Sequence, residues 1–87
     1  MKIKSGYLLR TIADTHIVVP IAERVIEFKG MMVLNDVSAK MWEFMQEDKT
    51  FDEVVEHILS IFDIDEATAR DDIAVMLEQM EASGVLE

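Results

Sequence analysis

Side chains able to do acid-base, metal or nucleophilic chemistry are few and scattered in this 87-residue sequence. The two histidines, His16 and His57, lie far apart in different expected elements, and no His-rich cluster is present. With zero cysteines the chain has no thiolate nucleophile, no cysteine-held metal and no disulfide. Three glycines are too few to build a nucleotide cradle, and no Ser-His-Asp order occurs. Carboxylates are abundant, but without such partners they read as a solvated surface. The residues therefore point away from an enzyme and imply no cofactor. An exposed strand edge would still offer unpaired backbone amide N–H and C=O groups. Met31, Met32, Val33 and Leu34 are the candidates for that edge.

The elements that must position this edge follow from patterning. Met31 to Leu34 is an apolar run too short for a buried helix, and Asn35 can stop a strand and cap the helix that follows. From Asp36 to Met45, the residues Met41, Trp42 and Met45 fall at i, i+1 and i+4 on one apolar face. Lys29 to Met45 thus reads as the hinge between a strand layer and a helix layer. Before it, Tyr7 to Ala13 reads as a strand, Asp14-Thr15 as a turn, and His16 to Val19 as a second strand that Pro20 stops or confines to an edge. Val25-Ile26-Glu27-Phe28 reads as a further extended piece, with Lys29-Gly30 as a turn.

After the hinge, Thr50 and Glu53 have the spacing of a capping box, followed by Phe51, Val54, Val55, Ile58, Leu59 and Phe62 at helical intervals. Asp65 caps a third helix, in which Ile73, Met76, Leu77 and Met80 repeat the stripe. Ser83-Gly84 ends it, and Val85-Leu86 can fold back onto it.

Size and charge bound the function. Residues 1–87 form one domain, with 51% hydrophobic and 30% charged residues, a globular composition. The longest uncharged apolar run, Ile17 to Ala22, is far below the ~20 residues that span a bilayer. The N-terminus lacks the apolar core of a signal peptide, so a soluble, cytoplasmic protein is expected. Residues 1–30 carry five basic residues against three acids, a net +2, whereas residues 31–87 carry three against fifteen, a net −12. Such a helical half repels phosphate backbones, so neither nucleic acid nor an anionic membrane is an expected partner.

A small antiparallel three-stranded sheet followed by a three-helix bundle is an α+β arrangement close to a winged helix-turn-helix. That fold alone would suggest DNA reading by the third helix. The third helix instead carries Glu66, Asp71, Asp72, Glu78 and Glu81 against a single Arg70, the wrong sign for such a reader. An acidic winged-helix regulator or protein-interaction domain stays open as the alternative to a peptide-binding adaptor.

The series Leu-Leu-Arg-x-Ile-Ala at 8 to 13, Val-Val-Pro at 18 to 20, Leu34-Asn35, Ala39-x-x-Trp42, Thr50-x-x-Glu53, Asp72-Ile73-x-x-Met76-Leu77-x-x-Met80 and Gly84-Val-Leu resembles the protein D family of pyrroloquinoline quinone (PQQ) biosynthesis over nearly the whole chain. The resemblance implies a recognition element for ribosomally made precursor peptides. Such an element holds the precursor's leader peptide and delivers the core to a modifying enzyme, often a radical S-adenosylmethionine enzyme. It implies a leader added as a strand on the third strand, in a groove walled by the third helix. The chain resembles the broader stand-alone branch at least as well as the quinone-pathway members. In such a groove Ile73 and Met76 would line the helical wall, Ala69 would leave room for a bulky leader side chain, and Asp72 stands where the family has an aspartate. Met32 and Leu34 alternate with Met31 and Val33 on the two faces of the strand. An unfilled edge can equally pair with a second copy, which leaves a homodimer open.

Overall fold

A computed structural model of the chain describes residues 1–21, 24–27 and 32–87. The elements run β1 (Tyr7–Ile12), β2 (Thr15–Pro20), α1 (Arg24–Glu27), β3 (Met32–Leu34), α2 (Asp36–Phe44), α3 (Phe51–Ile61) and α4 (Glu66–Ala82). The three strands form one antiparallel sheet in the order β1-β2-β3, with the three longer helices following it. This is the expected α+β arrangement, close to a winged helix-turn-helix. The expected hinge holds from Met32 onward, while Phe28 to Met31, including the proposed Lys29-Gly30 turn, lie outside the described residues.

The β1–β2 hairpin closes through two residues, Ala13 and Asp14, between the paired Ile12 and Thr15. Both have positive φ, 48° and 67°, the mirror-image turn whose twist suits a hairpin. The turn therefore sits one residue earlier than Asp14-Thr15. A second departure from expectation is α1. Val25-Ile26 has strand propensity, yet Arg24 to Glu27 is a single helical turn. Pro20 ends β2, the Ile21 N–H donates to the Gly6 carbonyl at 2.9 Å, and the Arg24 N–H closes back on the Ile21 carbonyl at 3.1 Å. That local closure overrides the weak preference of β-branched residues for extended backbone. Gly6 itself has φ of 95°, and a Cβ there would collide with the Arg24 side chain. The Arg24 Nε–H donates to the Ser5 carbonyl at 3.0 Å.

Each long helix starts on a side-chain cap. The Asn35 Oδ1 accepts from the Ser38 N–H at 2.8 Å, and the Asn35 N–H donates to the Ser38 hydroxyl at 3.0 Å. Thr50 and Glu53 make the same exchange for α3, at 3.2 and 2.9 Å. Asp65 caps α4, accepting from the Thr68 N–H at 3.0 Å. These bonds satisfy amides that a helix start leaves free. At the other end of α4, the Val85 N–H reaches the Met80 carbonyl and the Gly84 N–H reaches the Glu81 carbonyl, with Gly84 at φ of 78°. This is the helix stop in which the residue after the glycine packs back on the helix, and Val85 and Met80 are both buried.

The core joins the two layers. Val18 and Leu34 from the sheet are buried in one cluster with Met41, Trp42 and Met45 of the α2 region and the inner faces of α3 and α4. Trp42 is 3% exposed and meets Tyr7 of β1 edge to face, ring centroids 6.1 Å apart. The first residues run beneath this core: the Ile3 N–H donates to the Met45 carbonyl, the Lys4 N–H to the Val85 carbonyl, and the Glu87 N–H to the Lys2 carbonyl. Ile3 and Leu86 therefore pair as an isolated antiparallel bridge.

Candidate peptide-binding groove

β3 is an outer strand. It pairs with β2 through His16 with Leu34, Ile17 with Val33 and Val18 with Met32, and among the described residues no strand lies on its other side. In an antiparallel strand, alternate residues direct their N–H and C=O toward the neighbour and the rest outward. The outward groups of β3 are the open hydrogen-bonding edge that the sequence suggested. Met32 is half-buried and Leu34 buried on the face toward the helices, while Val33 on the opposite face is 66% exposed.

A cleft of about 180 Å³ runs beside this edge. Its strand wall is Met32, Val33 and Leu34, its end is Asn35 and Ser38, and its helical wall is Met76, Gln79 and Met80 of α4. The volume is below the about 300–1,000 Å³ usual for small-molecule pockets and suits anchoring side chains instead. Methionines on both walls are adaptable in shape, and Asn35, Ser38 and Gln79 make the lining mixed in polarity. Asp72, exposed on α4, precedes Met76 and Gln79 at the i, i+4, i+7 spacing of a shared flank. It is not among the residues that line the cleft.

The structure places the remaining expected residues differently. Ala69 and Ile73 are fully buried in the core and are not among the residues that line the cleft. A large residue at 69 would overpack the core. Met31 lies outside the described residues. Gln79, Asn35 and Ser38 line the cleft without having been singled out. Gln79 follows Met76 by three residues, which is the helical signal that pointed to it.

His16 fixes the junction where β3 becomes α2. Its Nε2 is hydrogen-bonded to the Asp36 carboxylate and its Nδ1 to the Thr11 hydroxyl, both at 2.8 Å. His57 stacks on Phe44, ring centroids 4.0 Å apart. Both histidines are thus held by packing and hydrogen bonds. Among the described residues no group of three or more His, Cys, Asp or Glu is arranged to hold a metal ion.

A small sheet with an open edge, packed on three helices and flanked by a narrow cleft of mixed polarity, defines a winged-helix-like domain. The family described as coenzyme PQQ synthesis protein D (PqqD) matches residues 9–86, and the chain belongs to this family. A solved structure described as TbiB1 in complex with the TbiA(beta) leader peptide aligns at a TM-score of 0.77 and 22% identity. It covers 100% of this chain and 95% of that one. At that identity the likeness shows the shared fold. No curated protein matches the chain in sequence. No helix among the described residues is long and apolar enough to cross a membrane.

Proposed function

We propose that this protein is a non-catalytic adaptor that binds the leader of a ribosomally made precursor peptide and presents it to a modifying enzyme. The observation that carries the reading is the open edge of β3 beside the Met32, Met76 and Met80 cleft. A leader adding antiparallel to β3 gains main-chain hydrogen bonds along the edge, and alternate side chains turn toward α4. Met32, Val33, Leu34 and Met76 contact the peptide, and Met31 is assigned to the same site by its place in the sequence. Asp72 shares the flank of Met76 on α4, and Ala69 and Ile73 support that wall from below. Family membership favours the role, and the aligned TbiB1 structure carries a leader peptide by its own description. The modifying enzyme is a radical S-adenosylmethionine enzyme and the product is PQQ or a related peptide natural product, made in the cytoplasm.

The experiment is a titration of isotope-labelled protein with the leader of a short precursor encoded beside this gene. The largest amide shifts are expected at residues 32–34 and at Met76, Gln79 and Met80. Saturable binding whose shifts leave β3 untouched would overturn strand addition at this edge. A tight, sequence-specific shift of duplex DNA would instead favour the regulator.

A further inference from the structure

A second cleft, of about 560 Å³, opens on α4 away from the groove, and the two share no lining residue. Its lining includes the apolar Phe51, Leu77 and Leu86, the acids Glu78 and Glu81, and the two chain ends, Met1, whose ammonium is held by Asp48, and Glu87, which is paired with Lys2. Ala74, Glu78 and Glu81 follow one another at i, i+4 and i+7 along one flank of α4, while Asp72, Met76 and Gln79 occupy the other flank at the same spacing. The helix thus divides two depressions of different chemistry.

We propose that this second cleft docks a basic amphipathic segment of a partner protein. An apolar side chain enters over Phe51 and Leu77, and flanking lysines or arginines meet Glu78 and Glu81. The rim electrostatics carry the assignment. Like other exposed acids such as Glu56 and Asp63, Glu78 and Glu81 form no ion pair among the described residues, but these two flank an apolar cleft. Glu81 also stands in the last turn of its helix. The last turn of α4 contains no basic residue, although the carbonyl end of a helix favours cations and opposes carboxylates. Their charge is therefore uncompensated in the free protein, and a cationic partner relieves both the mutual repulsion and the conflict with the helix dipole. A net charge of −10 attracts such a partner from a distance and repels both a second copy and an anionic lipid surface. The inference stands whether or not the first groove binds a leader, and with separate linings both sites can be filled together.

The test uses a fluorescein-labelled synthetic peptide of about 14 residues, long enough for marginal helicity, with leucine and lysine at amphipathic spacing. Its anisotropy is followed with the whole chain at about 0.15 M salt, where exposed charges beyond about 8 Å are screened. Glu78→Gln with Glu81→Gln should raise Kd roughly tenfold while leaving Tm equal to or above the parent's. Removing the same charge elsewhere, by Glu56→Gln with Asp63→Asn, should change Kd less than about twofold. Replacing the leucines by serine should abolish binding, and amide shifts should centre on Ala74, Leu77 and Leu86. Equal weakening by the two double variants would reduce the effect to net charge and overturn the proposal. So would undiminished binding by the serine peptide, or shifts centred on Met76 and Gln79.

Discussion

The helical half of this protein and its sheet solve opposite problems. In the helices, three N-termini are capped by side chains and the apolar stripes of α2, α3 and α4 close on one another. In the sheet, Ile12 and Val33 are 62% and 66% exposed, and β3 offers only three residues with one paired side. The charge divides in the same way, with the strongly acidic half helical and the first thirty residues slightly basic. The lesson is that stability rests on side chains that face inward, Leu34 of β3 among them, whereas the outward backbone groups of β3 take no part in the described sheet.

The strongest way to break the comparison is at the contact between the halves. Trp42 is buried against Tyr7 and the core, so Trp42→Ala should cost about 3 to 5 kcal/mol. That is much of the roughly 5 to 15 kcal/mol a domain has, and chemical denaturation should show a protein close to unfolding. A midpoint near that of the parent would make the two halves separable.

A middle-sized effect is expected at the start of α3. Thr50→Ala should cost about 1 kcal/mol by thermal melting, because the Glu53 amide loses its acceptor. The reciprocal bond sets an acid limit. Hydrogen bonds from the Thr50 backbone and hydroxyl hold the Glu53 carboxyl below its ordinary value of 4.5. The Thr68 N–H, and then its hydroxyl, do the same for Asp65 relative to 3.8. A carboxylate with a depressed folded pKa adds stability that is complete above its unfolded pKa and lost as pH falls through the folded one. Glu53→Gln keeps an acceptor for the Thr50 amide but cannot titrate, so its melting temperature should fall less steeply below about pH 4.5 than the parent's. Parallel acid profiles would show that the capping carboxylate contributes nothing to this limit.

The smallest expected effect sharpens the other side of the comparison. Ala13 at φ of 48° occupies backbone that favours asparagine or glycine, and Ala13→Asn should stabilise the hairpin by about 0.5 to 1 kcal/mol. A rise in Tm without altered leader affinity would show that the sheet can be strengthened independently of its open edge. A lower Tm would show that the turn does not hold alanine against its preference.

What the sequence disclosed divides along the range of the interactions. The Thr50 and Glu53 exchange is written within one helical turn, and so are the Asp65 cap and the Gly84 stop; each is legible because the partners are neighbours in the chain. Asn35 was legible as a cap, but the reciprocal role of Ser38 was not, since serine advertises the start of a helix more than its third residue. Ala13 gave no sign of positive φ because alanine has no preference for it. Val25-Ile26 misled, because strand propensity is weak against the turn that follows Pro20. For the cleft, patterning marks β3 and Met76 as neighbours, whereas the presence of Gln79 and Met80 along its helical side depends on how far α4 is rotated over the strand. That rotation is set by packing against α2 and α3, and no local pattern encodes it.

The pairing of Ile3 with Leu86 makes the two ends of the chain a single closure. The Lys4 amide reports on the Val85 carbonyl and the Glu87 amide on the Lys2 carbonyl, so neither end can peel away without releasing the other. Because the contact spans nearly the whole sequence, its loop-closure cost is met only once the intervening chain is compact. The seam is then a late event in folding, and fraying at the two ends becomes one shared opening.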